Sequence, residues 1–247
     1  MKKNVIFSAI AVLSLWIVWL IAYACIRNDY ILPSFWGVLR ETGRQLGSAA
    51  FWVAFSGTLL RLLVAFAVSL LLGVACALLA ELFGSVRAFL APVITVLRTL
   101  PTMAVILILL IWTSPLVAPA LIALLVLFPA VYAAALAAFD GVEGKFSALA
   151  NAYGVPYRVR IFRMYLPLSA KSLLTQSGAI ASMGLKVTVS AEVLASTFRS
   201  LGGMMHEAQA FLNISTLFAL TVLTVIIGFF IEGACWCIGK FAIRWRA

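Results

Sequence analysis

The sequence is poor in charge, and poorest in negative charge. Its 247 residues include 8 Asp+Glu, and all charged residues together make up 11%. A soluble domain carries about 25%. There is one histidine, His206, and there are four cysteines, Cys25, Cys76, Cys235 and Cys237, all in or beside apolar runs. Neither type recurs at metal-ligand spacing. No metal site is expected, and the cysteines read as small packing residues. The phosphate-binding pattern G-x-x-x-x-G-K-[ST] is also missing. Gly144-Lys145 and Gly239-Lys240 lack the earlier glycine and the following Ser/Thr, so the chain is not expected to bind ATP or to be an enzyme.

What fills the space is apolar: 65% of residues are hydrophobic and the mean hydropathy is +1.15. A soluble fold of this length leaves too much surface in water to hide that fraction. Lipid is therefore the expected solvent, and helices the expected elements, because open sheet edges cannot face hydrocarbon. The net charge of +10 comes from 18 Lys+Arg. These residues lie mostly between apolar runs, which points to orientation in a bilayer and not to nucleic acid.

Six apolar runs are long enough to span: 5–25, 59–80, 88–112, 116–139, 173–194 and 211–239. The first competes with a signal peptide, but it exceeds the length of an apolar signal core. Residues 27–55 read as an external segment with a short amphipathic helix, and 195–210 as a loop. Pro101 removes one helix hydrogen bond inside the third run and should free the carbonyl of Leu97, so that the lipid-spanning part would start near Arg98. Eleven basic residues fall on one side of this arrangement: Lys2, Lys3, Arg87, Lys145, Arg158, Arg160, Arg163, Lys171, Lys240, Arg244 and Arg246. Four fall on the other: Arg27, Arg40, Arg44 and Arg199. The asymmetry predicts both termini in the cytoplasm.

The polar stretch 140–167 is the most informative. Ala148 to Tyr153 reads as a short helix of small residues, with Gly154 as its left-handed end. Tyr157, Ile161, Phe162 and Tyr165, interleaved with arginines, read as a second amphipathic helix along the membrane surface. Pro167 opens a new element. A short, glycine-ended knob between spans suits either a partner protein or anionic lipid.

Intramembrane charge marks the second feature. Lys186 lies past the middle of the fifth run, with Ser182 and Ser190 four residues to either side on one helix face. An unpaired charge at a helix centre costs at least about 2.5–3.5 kcal/mol, so it should face a cavity or a partner. Two readings stay open: Lys186 attracts an anionic solute, or it pairs with a carboxylate or helix-end carbonyls. Glu192, about 120° away on the wheel, is badly placed to pair with it within one helix. A pair would form between protomers. Arg61 and Arg98 read as side chains reaching toward the interface from helix ends. Glu232, near the inner end of the sixth run, reads as a helix-packing or loop-pairing group.

At this point the sequence resembles a known family. Ala150, Gly154, Leu166 and Pro167 match the Glu-Ala-Ala-x3-Gly-x9-Ile-x-Leu-Pro loop of ABC-importer permeases. Ala148 stands in place of the family's Glu, Leu149 in place of Ala and Met164 in place of Ile. Arg98-Thr99-Leu100-Pro101 resembles the Arg-x-x-Pro of the nitrate/sulfonate/taurine-type branch. Ala191-Glu192-Val193 and Ser200-Leu201-Gly202 resemble its Ala-Glu-hydrophobic and Ser-Ile-Gly signatures. The likeness covers about residues 58–232. It implies a six-span, type I ABC-importer permease in a bacterial inner membrane, acting as a homodimer with two ATP-binding subunits and an extracytoplasmic binding protein or lipoprotein. ATP would be bound by the partner subunits, and no cofactor by this chain. The cytoplasmic loop 140–167, through Ala148, Ala150, Gly154, Leu166 and Pro167, would dock on the ATPase, and Arg98, Pro101, Ser182, Lys186, Ser190 and Glu192 would line the pathway. The alternatives are a secondary transporter or channel using Lys186 and Glu192, and a non-transporting membrane scaffold.

Overall fold

A computed structural model describes residues 2–242, and among them the fold is all-α with no strand. Arg244 and Arg246 lie outside the described residues, as do the side chains of Lys2, Lys3, Lys145, Arg158 and Lys240. The helices are α1 (Lys2–Ile26), α2 (Phe35–Leu46), α3 (Ala49–Leu82), α4 (Gly84–Thr99), α5 (Thr102–Trp112), α6 (Ala118–Ala152), α7 (Tyr157–Arg160), α8 (Leu166–Leu194), α9 (Leu201–Ala210) and α10 (Ile214–Ala242). A π turn, Ile161–Tyr165, joins α7 to α8.

Among the described residues, three stretches are long and apolar enough to cross a membrane: Ala49–Leu82, Ala118–Val142 and Ile214–Gly239. The third apolar run is two helices. α4 and α5 meet at 93° across Leu100-Pro101, where Pro101 cannot donate to the ladder and holds Leu100 extended. Counted as one bent span, the pair is a fourth crossing. α8 has the length for another, 29 residues, but its serines, glycines, Lys186 and Glu192 keep its mean hydropathy low.

The bundle is built on close approach of small residues, the interface that helices in lipid prefer. α3 packs most extensively on α6, α6 on α8, and α8 on α10. A Cβ on Gly73 of α3 would lie 2.7 Å from Val131 Cγ1 and 3.0 Å from the Tyr132 nitrogen of α6. Ala77, Ala80 and Ala135 continue that seam, all buried. Because part of the obstacle is backbone, Gly73→Ala is expected to cost about 1–3 kcal/mol through overpacking. The check is thermal unfolding of the purified protein in detergent. An unchanged midpoint would mean that the α3–α6 contact is looser than described.

Four expectations are corrected. The helix expected at 148–153 is not separate, because α6 runs unbroken for 35 residues, through Asp140 to Ala152. Gly141 and Gly144 do not stop it. The surface helix expected after Gly154 is turned inward: Ile161 is 0% and Tyr165 1% exposed, packed with Ala77, Phe139 and Val142. Pro167 does not open a detached element either. The backbone passes from the π turn into α8 in helical geometry, with the Leu166 N–H donating to the Ile161 carbonyl. Pro167 has no N–H for the usual i−4 bond, and the wider π turn accommodates it. Finally, more than half of 195–210 is helix α9. Ser200 caps it, its Oγ accepting from the Gly203 N–H at 2.8 Å.

Candidate functional site

The knob after α6 is shaped by backbone hydrogen bonds. Gly154 adopts φ +61°. Its N–H donates to Asn151 O and the Val155 N–H to Ala150 O, each at 3.0 Å. Together these form the paired closure of a left-handed helix end. Arg160 then staples the turn. Its Nη1 donates to Asn151 Oδ1 at 2.6 Å and its Nε to Val155 O at 2.7 Å. Ala150 is buried, whereas Ala148, Leu149, Tyr153 and Gly154 are exposed. Leu166 is half-buried and Pro167 exposed, beyond the π turn.

The knob is tied to the bundle at the same end. The Tyr157 hydroxyl donates to Glu81 O at 2.9 Å, and Glu81 sits near the end of α3. Arg87 of α4 grips Asp140 of α6 through two bonds, at 3.1 and 2.8 Å. Knob, α3, α4 and α6 are thereby linked by side chains as well as by packing.

At the opposite end of α3 lies a buried ion pair. Glu192 of α8 is 0% exposed. Its Oε1 accepts from Arg61 Nη1 at 3.0 Å, and its Oε2 from Thr58 Oγ1 at 2.8 Å and the Gly202 N–H at 3.2 Å. Arg61 Nε also donates to Leu116 O at 3.0 Å. Thr58 Oγ1 in turn accepts the Leu201 N–H at 2.9 Å. The carboxylate so serves two ends: it neutralises Arg61 and caps the first turn of α9, where free N–H groups and the helix dipole favour an anion. Gly202 is required for the approach, because a Cβ there would meet Glu192 Cβ and come within 2.6 Å of Val189 O.

This geometry overturns two expectations. Glu192 does not line a pathway and is not available to Lys186, since its oxygens are taken by Arg61, Thr58 and Gly202 of the same chain. Arg61 does not reach toward the interface, since its side chain is 14% exposed and points into the bundle. The Ala-Glu-Val and Ser-Leu-Gly segments, noted as separate features in the sequence, are two halves of one site.

Lys186 has a different setting. It is exposed, and with Ser182 it lines a cavity of about 190 Å³ between α8 and α10. Ser190 continues the same uncovered face one turn on. Among the described residues Lys186 makes no ion pair. Arg98 and Pro101 stand exposed at the α4–α5 elbow and do not line that cavity. No group of His, Cys, Asp and Glu among the described residues could hold a metal ion. Glu232, expected only to pack or pair at the end of its helix, faces the Lys186 cavity from α10. The one signal for that placement was its being a lone carboxylate in an apolar run.

An all-helical bundle of apolar helices, tied at one end to an exposed glycine-capped knob and carrying a lysine on an open face of α8, is the build of a multi-pass membrane protein. More narrowly, the chain belongs to the family of binding-protein-dependent transport system inner membrane components, whose model matches residues 69–234. It is a permease subunit of the ABC-importer type, as the loop motif implied. It is 26% identical over 230 residues to the taurine transport system permease protein TauC of Escherichia coli (strain K12), covering 89% of this chain and 81% of that protein. Its fold is similar to that of a chain in two crystal forms of inward-facing conformations of the MetNI methionine ABC transporter. One form superposes with a TM-score of 0.60 at 15% identity, covering 86% of this chain and 99% of that one. A second gives 0.61 at 16%.

Proposed function

We propose that this chain forms the translocation pathway of a type I importer and couples it to a separate ATP-binding subunit through residues 148–167. In this reading it has six spans with both termini in the cytoplasm of a bacterial cell. It works as a homodimer with two ATPase subunits, and receives solute from an extracytoplasmic binding protein. The solute class is a small anionic or organic compound such as a sulfonate, taurine, nitrate or a pyrimidine precursor.

One observation carries the coupling. α6 is one continuous helix whose capped end is exposed while its other turns pack on α3 and α8. A displacement of the knob is thereby passed to the helices that α6 packs against. Lys186 and Ser190 on the uncovered face of α8 support that helix as pathway lining. Glu192, whose oxygens are taken by Arg61, Thr58 and Gly202, speaks against the secondary-transporter alternative in the form that uses Lys186 with Glu192.

Reconstitution into vesicles with the ATPase and binding protein tests the proposal. Accumulation should require ATP, and flux without ATP would favour a channel or secondary transporter. In a variant freed of its native cysteines, a cysteine at Tyr153 should label only from the cytoplasmic side and one at Asn28 only from outside. The reverse at either position would break the six-span count.

A further inference from the structure

The cavity beside Lys186 holds a second charge. Glu232 of α10 lines it, together with Ser182, Thr224, Gly228 and Phe229. α8 and α10 run antiparallel: Gly178 faces Glu232, and Gly228 faces Ser182 and Leu185. Lys186 therefore lies about 12 Å along α8 from the level of Glu232, eight residues at 1.5 Å each. Helical side chains lean toward the N-terminus of their own helix. In an antiparallel pair this tilts Lys186 and Glu232 toward each other from opposite ends of the gap. Both are exposed to the cavity, yet no ion pair joins them among the described residues. Between them the wall is short: Gly228 has no side chain and Ser182 offers a hydroxyl.

From this juxtaposition we propose that the cavity is a subsite for a small zwitterion, its anionic group held by Lys186 and its ammonium by Glu232. The inference rests on the reading of α8 as pathway lining and narrows it. The cavity, about 190 Å³, has room for a small solute between the two charges. A solute of one sign would leave one wall charge unmatched, and an unmatched charge on a membrane helix is costly. A zwitterion answers both, and the Ser182 and Thr224 hydroxyls satisfy further oxygens.

The test uses two probes of matched size, 2-aminoethanesulfonate and 2-hydroxyethanesulfonate, in which a hydroxyl replaces the ammonium. ATP-driven uptake of each is measured in vesicles holding the permease, its ATPase and its binding protein. The binding protein is the same throughout, so a change in the ratio of the two rates reports on the permease. The wild type should prefer the ammonium probe. Glu232→Gln should lower that ratio about tenfold, the scale of one charge-assisted hydrogen bond. Lys186→Met should lower uptake of both. An unchanged ratio in Glu232→Gln overturns the inference, as does a wild type that takes up neither probe or takes up both equally. Should both single variants fail to assemble and Lys186→Met/Glu232→Gln restore assembly, the two are a structural pair and the inference is again overturned. Binding-protein-stimulated ATP hydrolysis separates the levels. If it persists, only the zwitterion subsite has failed; if both variants also leave every uptake rate unchanged, the pathway reading of α8 has failed with it.

Discussion

Glu192→Ala is expected to destabilise the protein by about 3–5 kcal/mol, and Arg61→Met by a similar amount. Breaking a buried pair strands its partner, and a stranded charge costs more than the pair is worth. The stranding is severe on both sides. Glu192 has no exposure and Arg61 has 14%. Glu192→Ala also uncaps α9, leaving the Gly202 N–H without its acceptor, and removes the partner of Thr58 Oγ1. Arg61→Met leaves a carboxylate with only two neutral donors, Thr58 and Gly202. The double variant Arg61→Met/Glu192→Gln should recover most of the loss. Its amide oxygen still accepts from Thr58 and Gly202, and no charge is left unpaired. Thermal unfolding in detergent of the wild type, Arg61→Met, Glu192→Gln and the double variant closes the cycle and gives the coupling energy directly. Losses that simply add would show that the two residues act separately.

The second large effect is on coupling. Gly154→Val combined with Ala150→Trp should leave a membrane-inserted protein whose ATP-driven uptake falls at least about tenfold, the loss of a single well-made contact at a partner surface. The two positions fail for different reasons. Gly154 has φ +61°, and nothing lies within 4 Å of the point where a Cβ would stand, so its constraint is conformational and not steric. A left-handed residue with a Cβ costs about 1–2 kcal/mol, and a β-branched one is worse placed still. Asn tolerates that conformation, so Gly154→Asn should retain most activity. Ala150 is 3% exposed, so an indole there must displace its neighbours and tilt the knob. Wild-type co-purification of the ATPase with the double variant, together with full transport, would remove residues 148–154 from the docking surface.

Local features were legible in the sequence, and long-range pairings were not. Pro101 predicted a lost helix hydrogen bond, and the structure goes further, turning the chain by 93° there. Gly154 predicted a left-handed helix end and has that geometry. Both follow from backbone sterics of one residue. The continuation of α6 through 140–152 was hidden because its residues change from apolar to polar midway, and a periodicity argument reads a change of solvent as a change of element. α9 was hidden by Gly202-Gly203, helix-poor residues retained because Glu192 and Thr197 crowd them. The Arg61–Glu192 pair spans 131 residues, and no local pattern encodes it. The wheel argument did separate Glu192 from Lys186. The correct partner could have been sought among the few other charges in apolar runs.

That separation of 131 residues also has a meaning in time. At about 5–20 residues per second, synthesis of the intervening chain takes about 7–26 s. Throughout that interval α3 already exists while the carboxylate that neutralises its arginine does not. Until Glu192 is made, Arg61 lacks the carboxylate of its final site, and an unpaired charge in hydrocarbon is costly. The buried pair that joins α3 to α8 can therefore close only after the second half of the chain has been synthesised.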